Sequence, residues 1–230
     1  MSFQKDLFSP KPILSLEKVS RTFTFPQTTT VLSEITFDAI PGESVALMGA
    51  SGEGKSTLLH LAAGLDFPSQ GKVFVDGTQI TKENAPLLRQ KHIGFVYQAF
   101  HLIEDLSLIE NVTLPLKIAG SFDSNTSIPK ATKLLSDVGL SHRINYPIRL
   151  LSGGEKQRAA VARALITDPC LILADEPTGN LDKKASKEVF ELILSCKGAS
   201  RAVVIATHSE ALAQSCDRIF DLSNLKSVCS

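Results

Sequence analysis

Three short stretches of this chain carry residue types that could hold a nucleotide and act on its phosphates. Gly49-Ala50-Ser51-Gly52-Glu53-Gly54-Lys55-Ser56-Thr57 fits the pattern GxxxxGK[ST]. Glycines let backbone amides close around phosphates, and the start of a following helix adds favourable potential. Lys55 would reach the β- and γ-phosphates, and the Ser56 hydroxyl would ligate Mg²⁺. A chance match in a chain of ordinary composition is an event of roughly one in a hundred. Glu53 is the awkward member, because a carboxylate beside phosphates is unfavourable unless its side chain points away.

The second stretch, Leu171-Ile172-Leu173-Ala174-Asp175-Glu176, reads as a buried strand ending in two carboxylates. Adjacent strand residues face opposite sides, so the two acids have different work. Asp175 would hold Mg²⁺ opposite Ser56, and Glu176 would polarise or deprotonate an attacking water. A plain solvated strand end is the alternative, weakened by the phosphate loop.

The third, Ser152-Gly153-Gly154-Glu155, is by local chemistry a capping box, S-x-x-E, that starts a helix. A capped start with two side-chain-free residues is also an anion site, so both readings stand together. His208, after the apolar run Ala202–Thr207, and Gln98, after Ile93–Tyr97, sit where open α/β sheets bind ligands. Spacing alone leaves both as ordinary surface residues.

The elements around these stretches read as α/β. Ile13–Val19 and Val31–Ala39 alternate like half-exposed antiparallel strands. Ser44–Met48, Lys72–Val75, Ile93–Tyr97, Cys170–Ala174, Ala202–Thr207 and Arg218–Leu222 are short apolar strands, with a turn at Asp76-Gly77. Gly54–Ala63 is a helix that Gly64 ends. From about 105 to 165 the pattern turns helical, with helices at Ser107–Ile118, Pro129–Val138 and Gly153–Ile166 and a polar loop from Gly120 to Ser127. Helices at Asp182–Cys196 and Glu210–Ser215 follow. The expected architecture is a single α/β unit over 13–223, with an antiparallel β part and a helical insertion. Residues 1–12 and 224–230 form terminal extensions.

Composition excludes several classes. The chain has 230 residues, 43% hydrophobic and 21% charged, with 24 basic against 24 acidic groups. A zero balance favours no nucleic acid. Cys170, Cys196, Cys216 and Cys229 form no CxxC pair and no zinc spacing, as reduced thiols in a cytosolic compartment would. Met1–Pro12 lacks the apolar core of a signal peptide, and no run approaches the about 18–20 apolar residues of a membrane span. Any membrane role comes through a partner.

Taken in order, these motifs resemble the ATP-binding subunit of ABC transporters over roughly residues 13–223. The resemblance makes Gly49–Thr57 the Walker A loop and Leu171–Glu176 the Walker B strand. Gln98 becomes the Q-loop glutamine that contacts Mg²⁺ and links to the membrane subunit. Leu151–Glu155 is similar to the family signature, with Glu155 where many members carry Gln. Gly179-Asn180-Leu181-Asp182 matches the D-loop, and His208 the switch histidine at the γ-phosphate. Phe23, or else Phe25, matches the aromatic that stacks on adenine; a β-strand core aromatic is the alternative. The family further implies ATP and Mg²⁺ as ligands and a head-to-tail homodimer. In it, ATP lies between one Walker A loop and the other chain's Ser152-Gly153-Gly154.

Within the family, Gly94–Leu102, Glu110-Asn111-Val112, Leu114-Pro115-Leu116 and Ala174–Asp182 are similar to one branch. It contains the lipoprotein-releasing, macrolide- and peptide-exporting and cell-division ATPases. Leu58-Leu59-His60-Leu61, Gly64-Leu65-Asp66 and the Thr28–Thr30 insertion incline the reading to lipoprotein release at the cytoplasmic face of an inner membrane. Membrane subunits would dock near Gln98–Leu106. A soluble ABC ATPase acting on nucleic acid would require a long coiled coil or two cassettes. An unrelated P-loop kinase would leave Ser152–Glu155 and His208 unexplained.

Overall fold

The computed structural model describes residues 10–223. Met1–Ser9 and the tail from Asn224, with Cys229, lie outside the described residues. In chain order the elements are β1 (Leu14–Phe23), β2 (Thr29–Ala39), β3 (Ser44–Met48), α1 (Lys55–Ala62), β4 (Gln70–Val75), β5 (Thr78–Gln79), α2 (Ala85–His92) and β6 (Ile93–Val96). Then come α3 (Leu108–Ile118), α4 (Ser124–Asp137), α5 (Gly153–Leu165), β7 (Leu171–Asp175), α6 (Lys183–Ser195), β8 (Ala202–Ala206), α7 (Glu210–Ala213) and β9 (Arg218–Asp221).

Two sheets form. An antiparallel sheet has the order β2-β1-β4-β5, and a parallel one the order β6-β7-β8-β3-β9. Period-2 alternation along β7 and β8 assigns each residue to a face. Leu171, Leu173, Ala202 and Val204 join β1, β2, β4 and α1 in one core. Ile172, Ala174, Val203 and Ile205 face α5 and α6 in another. Helix α1 lies within the first core, with Leu58, Leu59 and Leu61 fully buried. Burial of each is worth about 1.5–3 kcal/mol, so Leu59→Ala would leave a cavity in this core.

Gly64 ends α1 as expected. Its φ is +60°, and Leu65 N–H reaches His60 O at 2.9 Å while Gly64 N–H reaches Leu61 O at 3.0 Å, the paired bonds of a Schellman cap. Asp76 and Gly77, at φ +47° and +71°, make the two-residue hairpin turn between β4 and β5.

A third core unites α3, α4 and α5 through Leu108, Val112, Ala131, Leu135, Ala159 and Ala162. One expectation needs correction here, and one element is added. The expected loop from Gly120 to Ser127 is shorter, because α4 begins at Ser124. Asp123 caps that start by accepting the Asn125 N–H at 3.1 Å, and Pro129 is carried inside the helix. Helix α2 was not foreseen; it buries only Ala85 and Leu88, too few positions to show a helical period.

Candidate functional site

The site is assembled where parallel strands end. The phosphate loop follows β3, Glu176 follows β7, His208 lies just beyond β8, and Gln98 lies just beyond β6. These strands are neighbours in the sheet, so side chains distant in sequence meet at one edge.

Gly49, Gly52 and Gly54 have φ of +151°, +83° and +99°, conformations that let the loop wrap on itself. Lys55 is only 8% exposed. Its Nζ donates to Gly49 O at 2.8 Å and Ala50 O at 3.2 Å, and lies 3.8 Å from Glu176 Oε1. The ammonium therefore stands inside the loop. Ser56 Oγ donates to Asp175 Oδ1 at 3.0 Å, which brings two hard oxygen donors together as a magnesium site needs. The second oxygen of Glu176 meets His208 Nδ1 at 2.9 Å. One carboxylate thus touches both the phosphate-loop lysine and the histidine. Glu176 itself has φ +43°, an uncommon conformation for a non-glycine residue. Its N–H is held by Ala206 O at 3.0 Å.

The Glu53 charge is compensated. Its Oε2 accepts from the Ala50 N–H at 2.7 Å and from the Ser223 hydroxyl at 2.7 Å, tying the loop to the end of β9.

Gln98 is directed to the segment 179–182. Its Nε2 lies 3.5 Å from Asn180 Oδ1, Asn180 Nδ2 donates back to Gln98 O at 3.1 Å, and a Cβ on Gly179 would come within 2.7 Å of Gln98 Nε2. In this conformation it makes no hydrogen bond to Ser56 or Asp175. Asp182 caps α6, accepting the Ala185 N–H at 2.9 Å.

The Ser152–Glu155 turn is the expected capping box. Ser152 N–H and Oγ both donate to Glu155 Oε2, at 2.8 and 2.9 Å, and Ser152 Oγ accepts the Glu155 N–H at 3.3 Å. Glu155 Oε1 also lies 3.3 Å from Arg143 Nε. Burial raises its pKa, but the Ser152 donors and the charges of Arg143 and Arg158 outweigh that and hold the carboxyl below its usual range. Cβ atoms on Gly153 and Gly154 would approach Leu181 Cδ2 and Ala185 Cβ to 3.3 Å, so the glycine pair lets α6 pack closely. No polar contact joins Ser152 or Glu155 to Lys55 or Ser56. Phe23 is 38% exposed with the Arg21 guanidinium 4.4 Å from its ring centre, while Phe25 is 90% exposed.

Two residues were missed in the sequence. Arg163 on α5 donates to Phe100 O at 2.7 Å and to His101 O, fixing two residues at φ +59° and +48°. Gln157, fully buried, donates to Tyr97 O at 3.1 Å. Both bind backbone sixty or more positions away, and no local pattern marks such a contact.

Known proteins share this sequence and fold. Residues 32–179 fit the family model described as ABC transporter. The lipoprotein-releasing system ATP-binding protein LolD of Coxiella burnetii is 45% identical over 90% of this chain and 91% of its own length. The protein of the same name from Rickettsia typhi is 42% identical, over 92% and 96%. An ATP-binding cassette solved as a dimer in a post-hydrolysis state with ADP and Pi superposes with a TM-score of 0.81 at 33% identity. It covers 90% of this chain and 93% of that one. The chain belongs to the ABC transporter family, as an ATP-binding subunit whose hydrolysis of ATP is coupled to transport.

Proposed function

We propose that this chain powers the release of lipoproteins from an inner membrane, working as a homodimer at the cytoplasmic face with integral membrane partners. The observation that carries the dimer is the division of the polar network. Lys55, Ser56, Asp175, Glu176 and His208 are joined within one chain, whereas Ser152–Glu155 has no polar link to Lys55 or Ser56. A second chain would present its Ser152 hydroxyl and the amides of Gly153 and Gly154 to the ATP held by the first. The dimeric form of the solved cassette supports this reading.

In that arrangement the amides of Gly49–Thr57 and Lys55 bind the phosphates. Ser56 and Asp175 would hold Mg²⁺, with Gln98 free to join them after a turn away from Asn180; the ion would supply positive charge to the phosphate oxygens. Glu176 accepts a proton from the attacking water, and His208 orients that carboxylate and contacts the γ-phosphate. Phe23 offers its open ring face to adenine, opposite Arg21. Asp182, at the start of α6, lies beside the Gly153-Gly154 turn and belongs to the dimer contact. Glu155 keeps the turn in shape.

No helix among the described residues is long and apolar enough to cross a membrane. A groove of about 770 Å³ between α2, β6, α3 and α5 supports docking to a membrane subunit; Leu87, Phe95, Tyr97, His101, Leu114 and Ile118 line it. Of the expected docking stretch Gln98–Leu106, only His101 reaches this groove, and Leu102 packs into the helical core instead. The receiving surface is therefore moved toward α2 and α3.

Two experiments test the proposal. Glu176→Gln, which should bind ATP without cleaving it, is expected to sediment as a dimer with MgATP and as a monomer without. Adding Ser152→Arg should leave it monomeric. A Glu176→Gln protein that stays monomeric at saturating MgATP would overturn the shared site. For cargo, the chain reconstituted with its co-purifying membrane subunits should release lipoproteins from membranes on ATP addition. Export of a macrolide or peptide without such release would assign it to the exporter branch.

A further inference from the structure

The chain folds Asp76, His92 and Cys170 together, from three separate elements, at the end of the parallel sheet away from the nucleotide edge. Asp76 is in the β4–β5 turn, His92 ends α2, and Cys170 immediately precedes β7. Asp175, at the other end of β7, is about 16 Å away at ~3.3 Å per strand residue, so the two places share no atoms.

The spacing is what distinguishes this cluster. His92 Nδ1 lies 3.7 Å from Cys170 Sγ and 3.5 Å from Asp76 Oδ2, and all three atoms are within 4.8 Å of one another. The Asp76–His92 separation is too long for a hydrogen bond. Ligands of a tetrahedral zinc ion, at ordinary bond lengths, stand about 3.4–3.6 Å apart. The thiol–imidazole and imidazole–carboxylate edges are both within about 0.1–0.2 Å of that. The three groups are a sulfur, a nitrogen and an oxygen, a set that suits Zn²⁺ or Co²⁺ and not Mg²⁺. His92 and Cys170 are partly buried and Asp76 is exposed, so the cluster is open to solution. His92 also closes α2, where the negative end of the helix favours a cation.

We propose that Asp76, His92 and Cys170 form a three-ligand site for a zinc-class transition-metal ion, with solvent as the fourth ligand. Binding converts the Cys170 thiol to a metal-bound thiolate and releases its proton to solvent. Burial, and then the nearby Asp76 charge, raise the pKa of this thiol. The bound ion would join the antiparallel hairpin, the helix that walls the docking groove and the strand that ends in Asp175. Cysteine spacing along the chain could not reveal this site, because two of its ligands are not cysteines.

The test uses the purified full chain, stripped of transition metals and kept in buffer containing Mg²⁺, titrated with Co²⁺. One equivalent should bind and produce a thiolate-to-cobalt charge-transfer band that Zn²⁺ then abolishes. Cys170→Ser and His92→Gln should lose the band, and Cys196→Ser should keep it. Asp76→Asn preserves the turn, since Asn accepts the left-handed conformation, and should weaken Co²⁺ binding at least about tenfold. Zn²⁺ should raise the thermal unfolding midpoint of the parent chain and not that of Cys170→Ser. Binding without a thiolate band would overturn the proposal, as would a band that persists in Cys170→Ser or His92→Gln.

Discussion

The phosphate-loop edge and the Ser152–Glu155 turn both lie at the starts of helices, yet their polar groups are completed differently. At the first, polar groups from β3, α1, β7 and β8 interlock: Lys55 leans on Glu176, Glu176 on His208, and Ser56 on Asp175. At the second, Ser152 and Glu155 cap each other, and Arg143 pairs with Glu155 by charge alone. On the proposed reading, the first is a half-site whose groups are already joined within one chain. The second, on the proposed reading, is held in shape by its own cap and serves what a partner chain brings to it. Preorganisation at both removes ordering cost at the moment of binding.

Breaking the interlocked edge should have the largest effect. Glu176→Gln is expected to lower kcat by about 10²–10⁴-fold while ATP binding persists, measured by phosphate release and by equilibrium nucleotide binding. His208→Ala should follow at about 10²-fold. Ser152→Arg sharpens the contrast: it should abolish hydrolysis at least as deeply as His208→Ala, yet leave the ATP affinity of dilute, monomeric protein unchanged. If monomer affinity fell with it, the turn would be working within its own chain and the comparison would fail.

Glu155→Gln should have a small effect. Glutamine can close a capping box, so only the attraction to the partly exposed Arg143 and Arg158 is lost, at under about 1 kcal/mol in denaturant unfolding. The pH dependence follows from the depressed carboxyl. Because the folded pKa lies below the unfolded value of about 4.3, the Glu155 contribution is complete above that pH. It is lost as the pH falls through the lower folded value. The stability gap between the parent and Glu155→Gln should therefore shrink in acid. A gap that widened in acid would remove the ionised cap from the account.

Much of the fold was legible because its signals are local. The phosphate loop needs three glycines and a Lys-Ser at set positions, and the strand of apolar residues before Asp175 is marked by its end. The turn at Asp76-Gly77 and the stop at Gly64 follow from φ angles that few other residues adopt. Helix α2 escaped notice because Leu87 is exposed and only two of its positions are buried. The true start of α4 escaped because Pro129 looks like a beginning, whereas Asp123 supplies the cap six residues earlier.

By itself the sequence determined the motif chemistry: an anion loop with its lysine, a strand ending in two acids, and a capped helix start. Those depend on residues next to one another in the chain, where backbone geometry and side-chain type act directly. Only the tertiary structure decided which groups meet. It placed Glu176 between Lys55 and His208, turned Gln98 toward Asn180, and held Phe100 and His101 with Arg163. Contacts across a parallel sheet depend on strand order, and strand order is set by the packing of all the strands together, not by any one of them.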